Sequence, residues 1–279
     1  MSIPRKLIRN AKAILTNPAM ASAYAGWLAG RLRGSTTVTT SFGARLSGFE
    51  NFSNYWGTIC KIPSAEQFEF VASFLKTGSA VCFDIGANIG SFAVILGKRL
   101  PDCLIHAFEP APNTFSILQS NVRLNCLSNV HAHQLAIAGK DGTVRFSNDP
   151  RISQRNHIVS AAEAAIASCD VPAVALDSFC ETHRIERIGF VKVDCEGVEP
   201  LVLRGARGLL AQQRIGAMLV EVCPRNLRDF EFSIDDLLAA ADGLPYAFHR
   251  FNDGGGVGER VTAREMGAFH SEDVLFLPC

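Results

Sequence analysis

The chain has 279 residues, of which 48% are hydrophobic and 19% charged, with Gly and Pro spread thinly. This composition excludes disordered, collagen-like and coiled-coil classes and leaves a globular protein that can bury a core without staples. Lys and Arg (27) balance Asp and Glu (27), which argues against a nucleic-acid partner, because such proteins carry a basic excess.

The balance hides an asymmetry. Arg5, Lys6, Arg9, Lys12, Arg31, Arg33 and Arg45 precede Glu50, and no acid does, so the first segment is electrostatically distinct. Within it, the apolar stretch 19–30 (AMASAYAGWLAG) is too short for a spanning helix, which needs about twenty residues. Lys12, Asn17 and Pro18 interrupt any secretory signal. Two readings stand: one or two helices packed on the domain, or a basic interfacial helix in peripheral contact with an anionic membrane. The chain accordingly divides into a basic N-terminal helical extension, 1–55, and a main domain, 56–279.

Nine cysteines are an odd number, no two have C-x-x-C spacing, and Cys82, Cys103, Cys195 and Cys223 sit in apolar runs. They read as small buried hydrophobes, not as disulfides or zinc ligands. Reduced thiols point to the cytoplasm, with the inner membrane surface as an alternative address. Among seven histidines, His131 and His133 form the one close pair, and a strand would carry such a pair on its surface; no metal ligand is assigned.

From Ser79 onward, short apolar runs alternate with helical segments, the pattern of an α/β sheet. Residues 80–84 (AVCFD) read as a buried strand and 89–100 as the helix after it. Residues 103–109 (CLIHAFE) read as a second strand, 112–125 as a helix with Pro112 at its start, and 130–136 as a third strand. After the Asp141-Gly142 turn, 143–147 is extended and 148–170 is a polar loop of a length that suits a lid or substrate loop. A fourth strand over 188–194 (IGFVKVD), a helix over 199–210, a fifth strand over 215–222, a helix over 234–241 and strands over 245–250 and 274–278 complete the set. The order predicts a doubly wound, mostly parallel sheet with ligands outside the carboxyl ends of its strands. Asp84, Glu109, Ala136 and Asp194 mark those ends.

Between the first strand and its helix lies D-x-G-x-N-x-G, made by Asp84, Gly86, Asn88 and Gly90. The dinucleotide fingerprint G-x-G-x-x-G offers amides and a helix N-terminus to a pyrophosphate; here a carboxylate stands where that anion would arrive. Glu109 ends the second strand, where an acid accepts hydrogen bonds from ribose hydroxyls. A cofactor with a ribose, an ammonium and a sulfonium but no phosphate suits two carboxylates, and S-adenosyl-L-methionine is such a cofactor. Gly86 and Gly90 let the backbone approach it, Asn88 offers an amide to its methionyl portion, and Ala136 leaves room for its flat ring.

These residues closely resemble the FkbM family of S-adenosylmethionine-dependent methyltransferases. The matching segments are VCFDIGANIGSFAV (81–94), IHAFEPAPNTFSILQSNVRLN (105–125), VALDSF (174–179), FVKVDCEGVEPLVLRGA (190–206) and LVEVCP (219–224). The resemblance implies a Rossmann-like class I methyltransferase fold with a C-terminal antiparallel strand. It also implies O-methylation of a hydroxyl in a sugar, glycoconjugate or related secondary metabolite. The first 50 residues carry no comparable match.

In the K-x-D-x-E-G-x-E block, Lys192 and Asp194 share one face of the fourth strand, with Asp194 at its carboxyl end. Glu196 and Glu199 open the next helix, whose dipole favours acids, and Glu221 near the end of the fifth strand should neighbour them. Methylating an alcohol requires alignment with the methyl group and removal of a proton. Asp194 is the first choice for base or substrate anchor, Glu196, Glu199 and Glu221 are alternatives, His133 is a weaker one, and Lys192 is the counterion. Asp194, Glu196 and Lys192 form the catalytic set.

Other readings stay open. The four carboxylates could hold Mg²⁺ and lower the hydroxyl pKa, or form a structural ion network. Asp177 has no assigned role, and an N-terminal cap explains it as well as chemistry does. A nicotinamide-dependent oxidoreductase, and a non-catalytic cofactor-binding or membrane-docking protein, are the competing functions on this fold. The expected partner is a small-molecule or glycan acceptor, and apolar residues between Phe42 and Trp56 could serve a homo-oligomer interface.

Overall fold

Helix Pro18–Leu32 is the first element in the computed structural model, which describes residues 18–32, 37–49, 52–60, 62–147, 168–252 and 255–279. No helix among the described residues is long and apolar enough to cross a membrane. Helix Pro18–Leu32 packs through Tyr24 and Trp27 on Phe52 of helix Phe52–Cys60, with the Tyr24 and Phe52 rings edge-on at 4.9 Å. Between them, strands β1 (Val38–Thr39) and β2 (Arg45–Leu46) form a small hairpin. Two asparagines of helix Pro112–Leu124 and its cap hold the segment: Asn125 Oδ1 accepts from the Arg45 amide and Asn121 Oδ1 from the Ser47 amide, each at 2.8 Å. Ala44, Leu46 and Phe49 are buried in the core beside helix Ser91–Arg99.

The central sheet contains β3 (Val81–Ile85), β4 (Leu104–Phe108), β5 (Val130–His133), β9 (Ile188–Val193), β10 (Ile215–Val222), β11 (Tyr246–Asn252), β12 (Gly256–Arg260) and β13 (Glu272–Pro278). Their spatial order is β12-β11-β13-β10-β9-β3-β4-β5. The five strands from β10 to β5 run parallel, and β13 returns antiparallel between β10 and β11. The expected doubly wound sheet with a C-terminal antiparallel strand is present, and three strands rather than one, β13, β11 and β12, are joined by antiparallel pairing at that side. Residues buried on both faces, such as Phe83, Ile105 and Phe190, explain why these strands read as continuous apolar runs.

Local signals set the helix starts. Ser64 with Gln67, Ser233 with Asp236 and Thr262 with Glu265 form capping boxes, and Pro112 stands in the first turn of its helix. Several expected boundaries move. The third strand ends at His133, and Ala136 belongs instead to a separate sheet of β6 (Ala136–Ile137), β8 (Ser168–Val174) and β7 (Gly142–Ser147). The helix expected over 199–210 is two, Glu199–Gly205 and Arg207–Ala211, because the chain turns at Ala206. Strand β8 begins inside the expected loop 148–170, of which residues 148–167 lie outside the described residues.

Candidate active site

The crossovers leave β3 toward β4 and β5 on one side, and β9 leads to β10 on the other. A crevice must therefore open between the carboxyl ends of β3 and β9, where such sheets bind ligands. Asp84 lies opposite Lys192 in this parallel pair, and the Asp194 amide donates to Ile85 O at 3.0 Å to close the ladder.

The first turn folds tightly over β4. The Gly86 and Ala87 amides both donate to Phe108 O, at 3.1 and 2.9 Å. Gly86 has φ 81°, and a Cβ there would lie 2.0 Å from Asp194 O; the missing side chain lets the two strand ends meet. Gly90 has φ 86° and caps helix Ser91–Arg99. Asn88 is also left-handed, and its Oδ1 accepts from the Ile89 amide at 2.8 Å.

Asp84 is 1% exposed, and neither carboxylate oxygen has a hydrogen-bond partner. Burial pushes its pKa up to about 6; Lys192 opposes the rise and Asp194 adds to it, while the Ala93 N–H eases ionisation without forming a bond. Glu109 is 6% exposed, and its two oxygens accept from the Asn88 amide (3.0 Å) and the Ala111 amide (2.9 Å). Burial outweighs these two amides and raises Glu109 to about 7. An isolated buried carboxylate with no donor is expensive, so Asp84 fits a donor that arrives with a ligand.

Asp84, Gly86, Asn88, Glu109, Ala136, Lys192, Asp194 and Glu196 all line one cleft. Gly90 is not in that lining, and a Cβ on it would meet Leu118 Cδ1 at 2.4 Å. Leu135, Ala136, Ile137 and Phe146 form an apolar wall from the small sheet and its lead-in. Thr58, from helix Phe52–Cys60, and Phe146 also reach the cleft; neither carries a sequence signal, since each arrives by tertiary packing.

At the other side, Lys192 Nζ lies 3.0 Å from Asp194 Oδ2. Burial disfavours the ammonium, yet Asp194, Asp84 and Asp273 together hold its pKa above the ordinary value. Glu196 stands in the loop before the helix with φ 55°, not in the helix, and Asn226 Nδ2 donates to its Oε2 at 2.8 Å. Glu221 accepts from Ser271 Oγ at 2.9 Å. Asp194, Glu196 and Glu221 bring carboxylate oxygens within 4.8 Å of one another.

Glu199 departs from the expected acid group. It is buried, and its Oε1 accepts from the Cys195 and Gly197 amides, each at 3.1 Å, so it shapes the loop that carries Asp194 and Glu196. Burial raises its pKa to about 7. Asp177 caps, but not its own helix: its oxygens accept from the Gly208 and Leu209 amides at 2.7 and 2.9 Å, at the start of helix Arg207–Ala211. His133 is not surface decoration, because its Nε2 lies 2.9 Å from Nδ1 of buried His106 and its ring packs on Phe108 and Phe179; it does not itself line the cleft.

The donor set fits a cofactor that brings a cation and hydroxyls. Ionised Asp84 and Glu109 are acceptors only and carry the charge that attracts a cation, whereas a pyrophosphate would meet the Asp84 carboxylate without a basic partner in the turn. Asp84, Asn88 and Glu109 would hold the polar parts of S-adenosylmethionine, and the apolar wall around Ala136 its flat ring.

Among known proteins, 140 residues are 31% identical to Methyltransferase 1 of Beauveria bassiana, covering 44% of this chain and 56% of that protein. The hexuronic acid methyltransferase AglP of Haloferax volcanii is 29% identical over 142 residues, 51% of this chain and 55% of its own. The 31-O-demethyl-FK506 methyltransferase FkbM of Streptomyces tacrolimicus is 29% identical over 160 residues, 47% and 60% respectively. The similarity thus spans little more than half the length of each relative. The family model for the methyltransferase FkbM domain matches residues 84–248. Since this match runs from Asp84 in the first strand of the parallel sheet into β11 and takes in more than half of the chain, the protein belongs to the FkbM methyltransferase family.

Proposed function

We propose that the protein is an S-adenosylmethionine-dependent O-methyltransferase acting on a hydroxyl of a sugar, glycoconjugate or related secondary metabolite. The observation that carries this reading is the pair of partnerless oxygens on buried Asp84 at the switch point of the sheet. The names of two relatives, a hexuronic acid methyltransferase and a 31-O-demethyl-FK506 methyltransferase, support the acceptor class.

When bound, the cofactor supplies a methyl group activated on a sulfonium. Asp84 would accept from its ammonium, Glu109 would accept from its ribose hydroxyls, and the wall of Leu135, Ala136, Ile137 and Phe146 would exclude water from its ring. Asp194, across the cleft, would accept a hydrogen bond from the acceptor hydroxyl and take its proton as the oxygen bonds to the methyl carbon and S-adenosylhomocysteine leaves. Lys192 fixes the Asp194 carboxylate through the 3.0 Å ion pair, and Asn226 orients Glu196 beside it as a second acceptor.

All nine cysteines are free, which supports a reducing, cytoplasmic setting. Leu28 and Leu32 are exposed on helix Pro18–Leu32, which together with the basic charge before Glu50 supports peripheral membrane contact.

The test is calorimetric titration of S-adenosylmethionine and S-adenosylhomocysteine into the protein, with NADH as control, repeated on Glu109→Ala. Micromolar binding that weakens at least about tenfold in the variant is expected. NADH binding without S-adenosylmethionine binding would overturn the reading.

A further inference from the structure

Among the described residues, the large hydrophobic side chains left exposed are Leu28, Leu32 and Val257. Leu28 (39% exposed) and Leu32 (81%) stand one turn apart on helix Pro18–Leu32 and share a face, and Ala25 on the same flank is exposed as well. Arg31 is the one charged residue in the sequence of this helix. Its other side is occupied: Tyr24 and Trp27 pack on Phe52, with ring centroids 4.9 and 5.8 Å apart. A helix that is apolar all round belongs in a core or in lipid, and the described residues cover this one on one side.

Charge decides which surface suits the open face. Arg5, Lys6, Arg9, Lys12, Arg31, Arg33 and Arg45 precede the first acid, Glu50, and the rest of the chain is net acidic by the same amount. A second copy of the chain would bring a second set of these cations to the contact and be repelled. An anionic bilayer matches both features, because its headgroups attract clustered Lys and Arg while its acyl boundary takes up leucines. The acidic remainder of the molecule is repelled by the same bilayer, so the N-terminal end is the one that turns toward it.

We propose that helix Pro18–Leu32 docks the protein on anionic lipid, with Leu28 and Leu32 entering the headgroup region and the acid-free N-terminal segment supplying the charge. The proposal rests on the reading of peripheral membrane contact and gives that contact its lipid class, its residues and its orientation. Each cation brought to the surface strengthens binding about fivefold. The docked helix is a fixed arm, not a loose tether. Phe52, on which it packs, belongs to helix Phe52–Cys60, whose Thr58 lines the cleft, and between the two helices the Arg45 and Ser47 amides are fastened to Asn125 and Asn121. Docking therefore holds the cleft at a set position relative to the bilayer.

The experiment is co-sedimentation of the full chain with vesicles of phosphatidylcholine alone and of phosphatidylcholine mixed with phosphatidylglycerol, with thermal melts to confirm folding of every preparation. The anionic vesicles are expected to bind at least about tenfold more tightly, and added salt should erase the difference. Leu28→Ser combined with Leu32→Ser should weaken binding to anionic vesicles at least about tenfold at an unchanged melting temperature. Changing Arg5, Lys6, Arg9 and Lys12 to Gln should remove the preference for anionic lipid. Equal binding to both vesicles overturns the proposal and leaves peripheral contact standing, whereas no binding to either overturns both. Full binding by the leucine variant, or a dimer in sedimentation velocity that the leucine variant dissociates, also overturns it. Calorimetry with S-adenosylhomocysteine on the same preparations tests the methyltransferase reading separately.

Discussion

Asp84 and Lys192 are register partners on neighbouring parallel strands, yet the Lys192 ammonium bonds to Asp194 and leaves Asp84 without a hydrogen bond. A pairing that would satisfy both is foregone, and the buried acid is held open at the point where the sheet changes direction. Function and stability should consequently separate at this residue.

Asp84→Asn is expected to stabilise the free protein at pH 8 by about 1–3 kcal/mol, since it removes a carboxylate whose pKa is raised from 3.8 to about 6 by burial. The same change should weaken S-adenosylmethionine binding at least about tenfold. Thermal melts of the free protein and calorimetry on the same sample check both; a variant that loses stability and keeps affinity contradicts the assignment.

Cofactor affinity should rise with pH between about 5 and 8. Burial raises Asp84 to about 6 and Glu109 to about 7 in the free protein, and only their ionised forms carry the charge that attracts an ammonium and leave both oxygens as acceptors. Calorimetry across that range in buffers of matched ionic strength is the measurement, and flat affinity would remove these two acids from the cofactor site.

The stability of the free protein carries two opposed pH dependences. Asp84, Glu109 and Glu199 have folded pKa values raised by burial, so their favourable contribution is present below about 4 and lost as pH rises through about 6–7. His106 and His133 are lowered to about 3 and about 4, chiefly by burial and then by neighbouring histidines. Their contribution is present above the ordinary 6.5 and lost as pH falls toward those values. Urea midpoints should therefore change little from pH 4.5 to 6.5 in the natural protein. In His106→Phe the acid-side loss should diminish, tilting the curve toward higher stability at low pH.

Gly86→Ala should damage the protein more than Gly90→Ala. The first places a Cβ 2.0 Å from the Asp194 carbonyl, which cannot move without shifting the loop that carries Asp194 and Glu196; the second meets the tip of Leu118, which can rotate. Both positions have positive φ, costing roughly 1 kcal/mol each, so the expected losses are about 3 and about 1–2 kcal/mol. Denaturant unfolding of both variants compares them, and equal losses would refute the contact argument.

Asp177→Ala removes the acceptor of two amides at the start of helix Arg207–Ala211. A loss of about 1–2 kcal/mol with unchanged cofactor affinity is expected. Reduced affinity at unchanged stability would instead give Asp177 a part in the site.

What the sequence determined by itself is what depends on near neighbours along the chain. Apolar runs at 81–85 and 188–193, the left-handed glycines after the first strand and the acids at strand ends are local patterns, and they put Asp84, Glu109 and Asp194 into one cleft once a parallel sheet is assumed. Tertiary structure alone decided the partners. Glu196 and Glu199 lie three residues apart with the same chemistry, but one faces Asn226 and Glu221 while the other turns inward to bond its own loop. Asp177 caps a helix thirty residues downstream instead of its own. His133 meets His106 only because β4 and β5 align them in register. Hydrophobic periodicity fixes which face of an element is buried, whereas a polar group's partner depends on how distant segments meet, and no local spacing encodes that distance.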